Sequence, residues 1–278
     1  MKPGNESQTA VLVCQGRAHA DAPEFRDPTA YPLLLESARA QVDRIRAGEP
    51  PRGLRDRLKR FYLARQAKIM VARTRAIDAG LLAAASPQLV ILGAGLDGRA
   101  WRMPELRDVV VFEVDHPDSQ KAKQARAAAL VPEARVVFVP VDFERDALDE
   151  QLARAGHDPT RPTTWIWEGV VMYLTPADVD ATLAVIARRS APTSRLMVLY
   201  HSPAVLLKIV GPIVRRLGEP LRSVFTAEQM RALLSRHGFT VVSDQDIRTI
   251  GAAMSREVRE STRPITHMRI ATADRVRR

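Results

Sequence analysis

The sequence predicts a doubly wound, mostly parallel α/β sheet of seven strands, and three observations carry that prediction. From Pro87 onward, short runs rich in Val, Ile and Phe alternate with helix-length segments, the texture of a parallel sheet with right-handed crossovers. The first run leads into a glycine-rich turn, Val90-Ile91-Leu92-Gly93-Ala94-Gly95-Leu96-Asp97-Gly98, the place where such sheets bind nucleotide-like ligands. Near the C-terminus two strand-like runs follow one another with no full helix between them, which predicts an antiparallel pair at one sheet edge.

Residues 1–86 lack strand-like runs and read as an N-terminal helical region. Its best segment is Leu54–Leu82, where Leu58, Tyr62, Arg65, Ile69, Val71, Ile77 and Leu81 recur near helical spacing between Pro50-Pro51 and Ser86-Pro87. Residues 87–278 form the expected catalytic α/β region. Strands are expected at Leu89–Leu92, Val109–Val114, Val136–Val141, Thr164–Trp167 and Arg195–Tyr200, then at Phe239–Ile247 and Met268–Ala273. Helices are expected through Arg99–Leu106, from near His116-Pro117, and over Asp146–Ala155, where Gly156 ends the run. Thr175-Pro176-Ala177-Asp178 supplies an N-cap, a first-turn proline and an acid, and Thr226 with Gln229 makes a capping box for a helix that stops at Gly238. Ser202–Phe225 is apolar with basic interruptions at Lys208, Arg215 and Arg216. It suits a lid inserted after strand five, or an amphipathic helix completing the core.

Composition narrows the setting. The 278 residues are 46% hydrophobic and 27% charged, ordinary for a globular chain. The one cysteine, Cys14, cannot form an internal disulfide, and no Cys/His cluster has metal-ligand spacing, so a reducing compartment and no metal are expected. The first residues are polar rather than signal-like, and no apolar run approaches the ~20 residues that span a bilayer. The expectation is a cytoplasmic protein without stable membrane association, monomeric or homodimeric. A net charge of +10 comes mostly from scattered arginines; these read as solvated surface rather than a nucleic-acid groove, though the field could draw an anionic small substrate.

The chemistry sits at strand ends. Gly93 and Gly95 let the chain turn and let a ligand approach the backbone. Phe112-Glu113-Val114-Asp115 follows about 20 residues later, at the distance of a ribose-binding acid. Asp115 is favoured for that role, with Glu113 either a second partner or a cap for the next helix. Asp142 and Phe143 end the third strand, an acid and an aromatic suited to an adenine. Glu168 follows Trp165-Ile166-Trp167, where the two tryptophans share a face and at least one belongs to the core. Gly93, Gly95 and Gly98 also satisfy G-x-G-x-x-G, so an NAD(P)-dependent oxidoreductase is the alternative. The lack of a Tyr-x-x-x-Lys pair, the late position of the loop and the closing strand pair weigh against it. An Asn/Asp-Pro-Pro-aromatic turn is absent, which weakens DNA-base and protein-amine acceptors.

These motifs together resemble the leucine carboxyl methyltransferase-like family of S-adenosylmethionine-dependent O-methyltransferases, which includes bacterial and polyketide-type members. The resemblance rests on Ala72-Arg73-Thr74 with Ile77-Asp78, Leu92-Gly93-Ala94-Gly95-Leu96-Asp97, Phe112-Glu113-Val114-Asp115, Pro140-Val141-Asp142-Phe143 and Glu168-Gly169 with Tyr173-Leu174, with Phe25-Arg26-Asp27-Pro28 upstream. It implies a class I methyltransferase fold with S-adenosylmethionine as cofactor. Arg73 would hold the methionine carboxylate, Gly93 and Gly95 line it, Asp115 take the ribose, Asp142 and Phe143 the adenine, and Glu168 sit near the methionyl ammonium. The sequence departs from the family pattern at Gly98, often a larger residue, and at Val198–Pro203.

Methyl transfer is an in-line displacement, so positioning supplies most of the catalysis. A carboxylate acceptor arrives ionised, whereas a phenol benefits from a base. His201, at the mouth of strand five, is the expected base or acceptor-orienting residue for a hydroxyl, with Tyr173 and Tyr200 as further orienting groups. The expected acceptor is a small acidic or aromatic molecule, such as a polyketide-like secondary metabolite.

Overall fold

The computed structural model describes residues 8–20, 25–142, 145–204 and 221–276. Its strands are β1 (Gln88–Leu92), β2 (Val110–Asp115), β3 (Arg135–Pro140), β4 (Thr163–Trp167), β5 (Arg195–His201), β6 (Phe239–Asp246) and β7 (Met268–Arg275). They form one sheet in the order β3-β2-β1-β4-β5-β7-β6. The first five strands are mutually parallel, and β7 runs antiparallel between β5 and β6. This is the Rossmann-like sheet of class I methyltransferases, with the antiparallel C-terminal pair that the sequence predicts.

The helices are α1 (Gln8–His19), α2 (Ala30–Leu33), α3 (Glu36–Arg46), α4 (Leu54–Ala84), α5 (Arg99–Arg102), α6 (Pro117–Ala127), α7 (Leu148–Arg154), α8 (Pro176–Arg188), α9 (Ala227–Arg236), α10 (Ile247–Ala252) and α11 (Arg256–Thr262). Strand alternation sorts the side chains into two cores. Leu89, Ile91, Val111, Ile166, Met197, Leu199 and Ile270 face helices α1 to α4, α10 and α11. Val90, Leu92, Phe112, Val114, Trp165, Trp167, Leu196, Val198 and Tyr200 face α7, α8 and α9. Both tryptophans are therefore core residues.

Three expectations about elements are corrected. The helix through Arg99–Leu106 divides into α5 and a 3-10 turn at Pro104–Leu106, because Pro104 has no N–H to continue the ladder. Two short helices, α10 and α11, occupy the interval between the last two strands; Asp246 caps the first with a 2.7 Å bond from the Thr249 N–H, a cap inside what reads as strand. Glu113 neither faces a ligand nor caps a helix. Its side chain is buried and accepts a 2.6 Å bond from Lys123 Nζ, while His116 caps α6 through its own ring. Burial pushes the Glu113 carboxyl up to about 7, against the pull of Lys123.

Candidate functional site

The carboxyl ends of β1, β2, β3 and β4 meet at one edge, and the loops there hold the residues singled out by sequence. Gly93 and Gly95 both have positive φ, +66° and +44°, which a side chain would strain. A Cβ at Gly93 would also lie 2.2 Å from Val170 Cγ2, and one at Gly95 would lie 3.3 Å from the Ala10 Cβ of α1. The glycines thus let the loop after β1 pass under both the β4 loop and the N-terminal helix.

Asp115 closes this loop from the neighbouring strand. Its Oδ2 accepts from the Gly95 N–H and its Oδ1 accepts from the His116 N–H at 2.7 Å. Burial raises its carboxyl pKa despite these two bonds. The Val141 N–H donates to the Asp115 carbonyl at 2.9 Å, so Asp142 sits beside Asp115 at the same edge, half-buried. Phe143 lies outside the described residues.

Arg73 reaches this edge from α4. Its Nε donates to Glu168 Oε1, and both side chains are almost fully buried. The same Glu168 accepts from Arg99 Nη1 at 3.0 Å through its other oxygen. Burial alone would raise the Glu168 carboxyl; Arg73 and Arg99 outweigh it and hold the group down at about 2. Arg99 also donates to Asp97, and at 2.8 Å to Asp78, which in turn accepts from Arg102 at 2.7 Å. Asp27 stands 3.8 Å from Arg102 and 3.6 Å from Arg17. Four guanidiniums and four carboxylates thereby alternate from α1 to β4 in a low-dielectric interior. Such an array is stable only while every charge keeps a partner.

Sequence reasoning singled out one end of this array, Arg73 and Glu168, and missed the rest. Arg17, Arg99 and Arg102 carried no role in the sequence. Asp27, Asp78 and Asp97 lie inside the motif runs, yet no role attached to them. One signal was present: Arg99 and Arg102 follow the glycine loop directly, on a helix opening that points back at the strand ends. Gly98 has its own reason. A Cβ there would lie 1.9 Å from Thr29 Oγ1, and Thr29 is held by 2.9 and 2.6 Å bonds to Asp27.

On the other side of Arg73, the end of β5 supplies His201. Its side chain is buried, its Nδ1 has no hydrogen-bond partner, and its ring lies 5.6 Å from that of His267. Burial, with His267 and Arg73 nearby, pushes its pKa down to about 4. The chain returning from the insertion is stitched here: the Phe225 N–H donates to the His201 carbonyl at 2.9 Å, and the Arg222 N–H to the Met172 carbonyl at 2.7 Å. That second bond brings the turn carrying half-buried Tyr173 alongside. The rest of the expected lid, 205–220, lies outside the described residues.

Tyr200 does not join this group. It alternates to the opposite sheet face, is fully buried, and its hydroxyl donates to Asp244 at 2.6 Å and accepts from Arg269 at 3.1 Å. The expectation that it orients an acceptor is corrected: it fastens β5 to the antiparallel pair.

A class I methyltransferase sheet with this arrangement at its carboxyl edge defines an S-adenosylmethionine-dependent methyltransferase. The family model described as leucine carboxyl methyltransferase matches residues 7–187, and the chain belongs to that family. A proposed S-adenosyl-L-methionine-dependent methyltransferase of Mycolicibacterium gilvum is 36% identical over 244 residues, spanning 85% of this chain and 78% of that protein. A second, from Mycolicibacterium paratuberculosis, is 38% identical over 209 residues, 70% of this chain and 67% of its own. Among solved structures, a DUF574 family protein from Streptomyces avermitilis has the same fold, with a TM-score of 0.61 at 13% identity over 98% of both chains. None of these relatives supports the oxidoreductase alternative.

The residues present suit S-adenosylmethionine. Its methionyl end is a zwitterion, and Arg73 with Glu168 is a matched cation and anion held at the glycine loop. Asp115 already accepts two N–H bonds at the position where a ribose diol would donate.

Proposed function

We propose that this methyltransferase acts on an oxygen of a small-molecule acceptor, a carboxylate in preference to a phenolic hydroxyl. S-adenosylmethionine supplies the electrophilic methyl group. Arg73 holds the donor's carboxylate, Glu168 its ammonium, Asp115 the ribose and Asp142 the adenine edge, so that the donor is oriented before the acceptor arrives. The observation that carries the acceptor assignment is His201: a buried imidazole with an unpartnered Nδ1, beside His267 and on the Arg73 side of the sheet.

An imidazole kept neutral down to about pH 4 is a poor proton acceptor. It is well suited to a hydrogen bond with an acceptor oxygen that needs no deprotonation. A carboxylate meets that condition, since it arrives ionised. Tyr173, on the turn tied to 222–223, is the second orienting group. A polyketide-like aromatic acid is an acceptor of this kind.

The test uses a panel of aromatic and aliphatic carboxylic acids and matched phenols with methyl-labelled donor. Label released as methanol by mild alkali identifies a methyl ester, whereas an aryl ether survives. Ester formation, with a raised KM for acceptor in His201→Ala, supports the reading. Alkali-stable product only, or unchanged acceptor kinetics in His201→Ala, overturns it.

A further inference from the structure

The first four turns of α4 are amphipathic the wrong way round for a helix that only supports a core. Toward the protein they present Leu63 and Ala67, both buried, and the Asp56–Arg60 ion pair at 3.2 Å, with Arg60 also donating to the Glu49 carbonyl. Toward solvent they present Leu54, Leu58, Phe61 and Tyr62, which are 70%, 60%, 69% and 49% exposed. Helical geometry at ~100° per residue places Leu54, Leu58 and Phe61 within roughly 60° of one another. Around this stripe stand Arg55, Arg57 and Arg65, none with an ion-pair partner among the described residues.

We propose that this face of α4 docks on an anionic lipid surface. Charge complementarity selects that occupant. A second copy, joined through the same patch, would set the three unpaired cations against their duplicates. A protein partner would need a groove for one convex row of protruding side chains. A lipid headgroup layer accepts such a row directly: Leu and Phe enter the acyl boundary, Tyr sits at its edge, and the flanking Arg side chains extend to phosphates. The attachment is peripheral, since among the described residues no helix is long and apolar enough to cross a membrane. Arg73 lies about 20 Å further along the same helix, so docking would hold the methyl-donor site close to the lipid surface.

The experiment is flotation of the full chain with vesicles of phosphatidylcholine, alone or with about 30 mol% phosphatidylglycerol. Partition into the anionic vesicles at least tenfold above the neutral ones is expected, falling sharply at about 0.5 M salt. Leu58→Gln/Phe61→Gln, which keeps the charge, should abolish it while S-adenosylhomocysteine binding and Tm stay unchanged. Arg55→Gln/Arg57→Gln should weaken it by about tenfold, and Arg231→Gln/Arg236→Gln on α9, across the sheet, should not. Equal loss in the α9 variant would show that overall charge alone is at work and overturn the proposal. Absence of flotation would overturn it too, as would a dimer dispersed by Leu58→Gln/Phe61→Gln, which would make the occupant a second copy.

Discussion

Arg73 and Glu168 stand 95 residues apart in the chain and form one buried ion pair, with Arg99 completing the second oxygen of the carboxylate. A zwitterionic ligand, with its own carboxylate and ammonium, could engage both groups without leaving a charge unmatched.

Binding follows from that relationship. Replacing Arg73 with Gln should weaken S-adenosylhomocysteine binding roughly 10- to 100-fold, the worth of a charge-assisted hydrogen bond. Asp115→Ala should act similarly from the ribose end. Isothermal titration reads both, and undiminished affinity in Arg73→Gln would sink the assignment. The fold should survive, because Glu168 keeps Arg99.

Arg99 is a different case. It serves Asp78, Asp97 and Glu168 at once, so Arg99→Gln strips buried Asp97 of its ion pair and takes one of two arginines from Asp78 and from Glu168. The expected cost is about 3–5 kcal/mol, read by urea unfolding. Arg99→Lys should recover little of it, since one ammonium cannot span three acids.

Gly98 tests packing rather than charge. Gly98→Ala drives its methyl into the Thr29 hydroxyl and should cost about 1–3 kcal/mol. Thr29→Ala removes the clashing oxygen but also its bond to Asp27. In a double-mutant cycle the two changes should therefore cost less together than the sum of their separate effects; strict additivity would mean the contact carries no strain.

The pH dependence has a definite sign. Glu168 is held at about 2 against an ordinary 4.5, so the stability it contributes is present above pH 4.5 and is lost as pH falls towards 2. His201, pushed to about 4 from 6.5, contributes in the same direction over a higher window: stability present above pH 6.5 and lost as pH falls towards 4. Urea midpoints measured from pH 7 down to 3 should decline in both windows. His201→Phe should make the upper decline shallower and leave the lower, because His157, also pushed down to about 4, adds to that window while Glu113, raised to about 7, opposes it; an unchanged slope between pH 6.5 and 4 in His201→Phe would count against the buried imidazole.

Much of the architecture was legible because it is written in local periodicities. Alternation of apolar runs with capped helices marked all seven strands, and Thr175 and Thr226 form the capping boxes or N-caps their spacing announces. The acids at the ends of β2 and β3 were legible because strand ends and glycine turns have fixed positions in such sheets. Glu113 and Tyr200 were misread for a shared reason. Each is a polar residue whose partner, Lys123 or Asp244, comes from an element packed against it, and spacing along one strand does not show what crosses it.

The sequence by itself determined the sheet, the order of its elements, the glycine turn and the family to which these belong, since all depend on residues close together in the chain. Only the tertiary structure decided which charges matter. Arg17, Arg99 and Arg102 differ from the exposed arginines of α4 in nothing but where the fold places them. Buried without carboxylates they would each cost several kcal/mol; alternating with Asp27, Asp78, Asp97 and Glu168, they tie α1, α4 and the loops after β1 and β4 together.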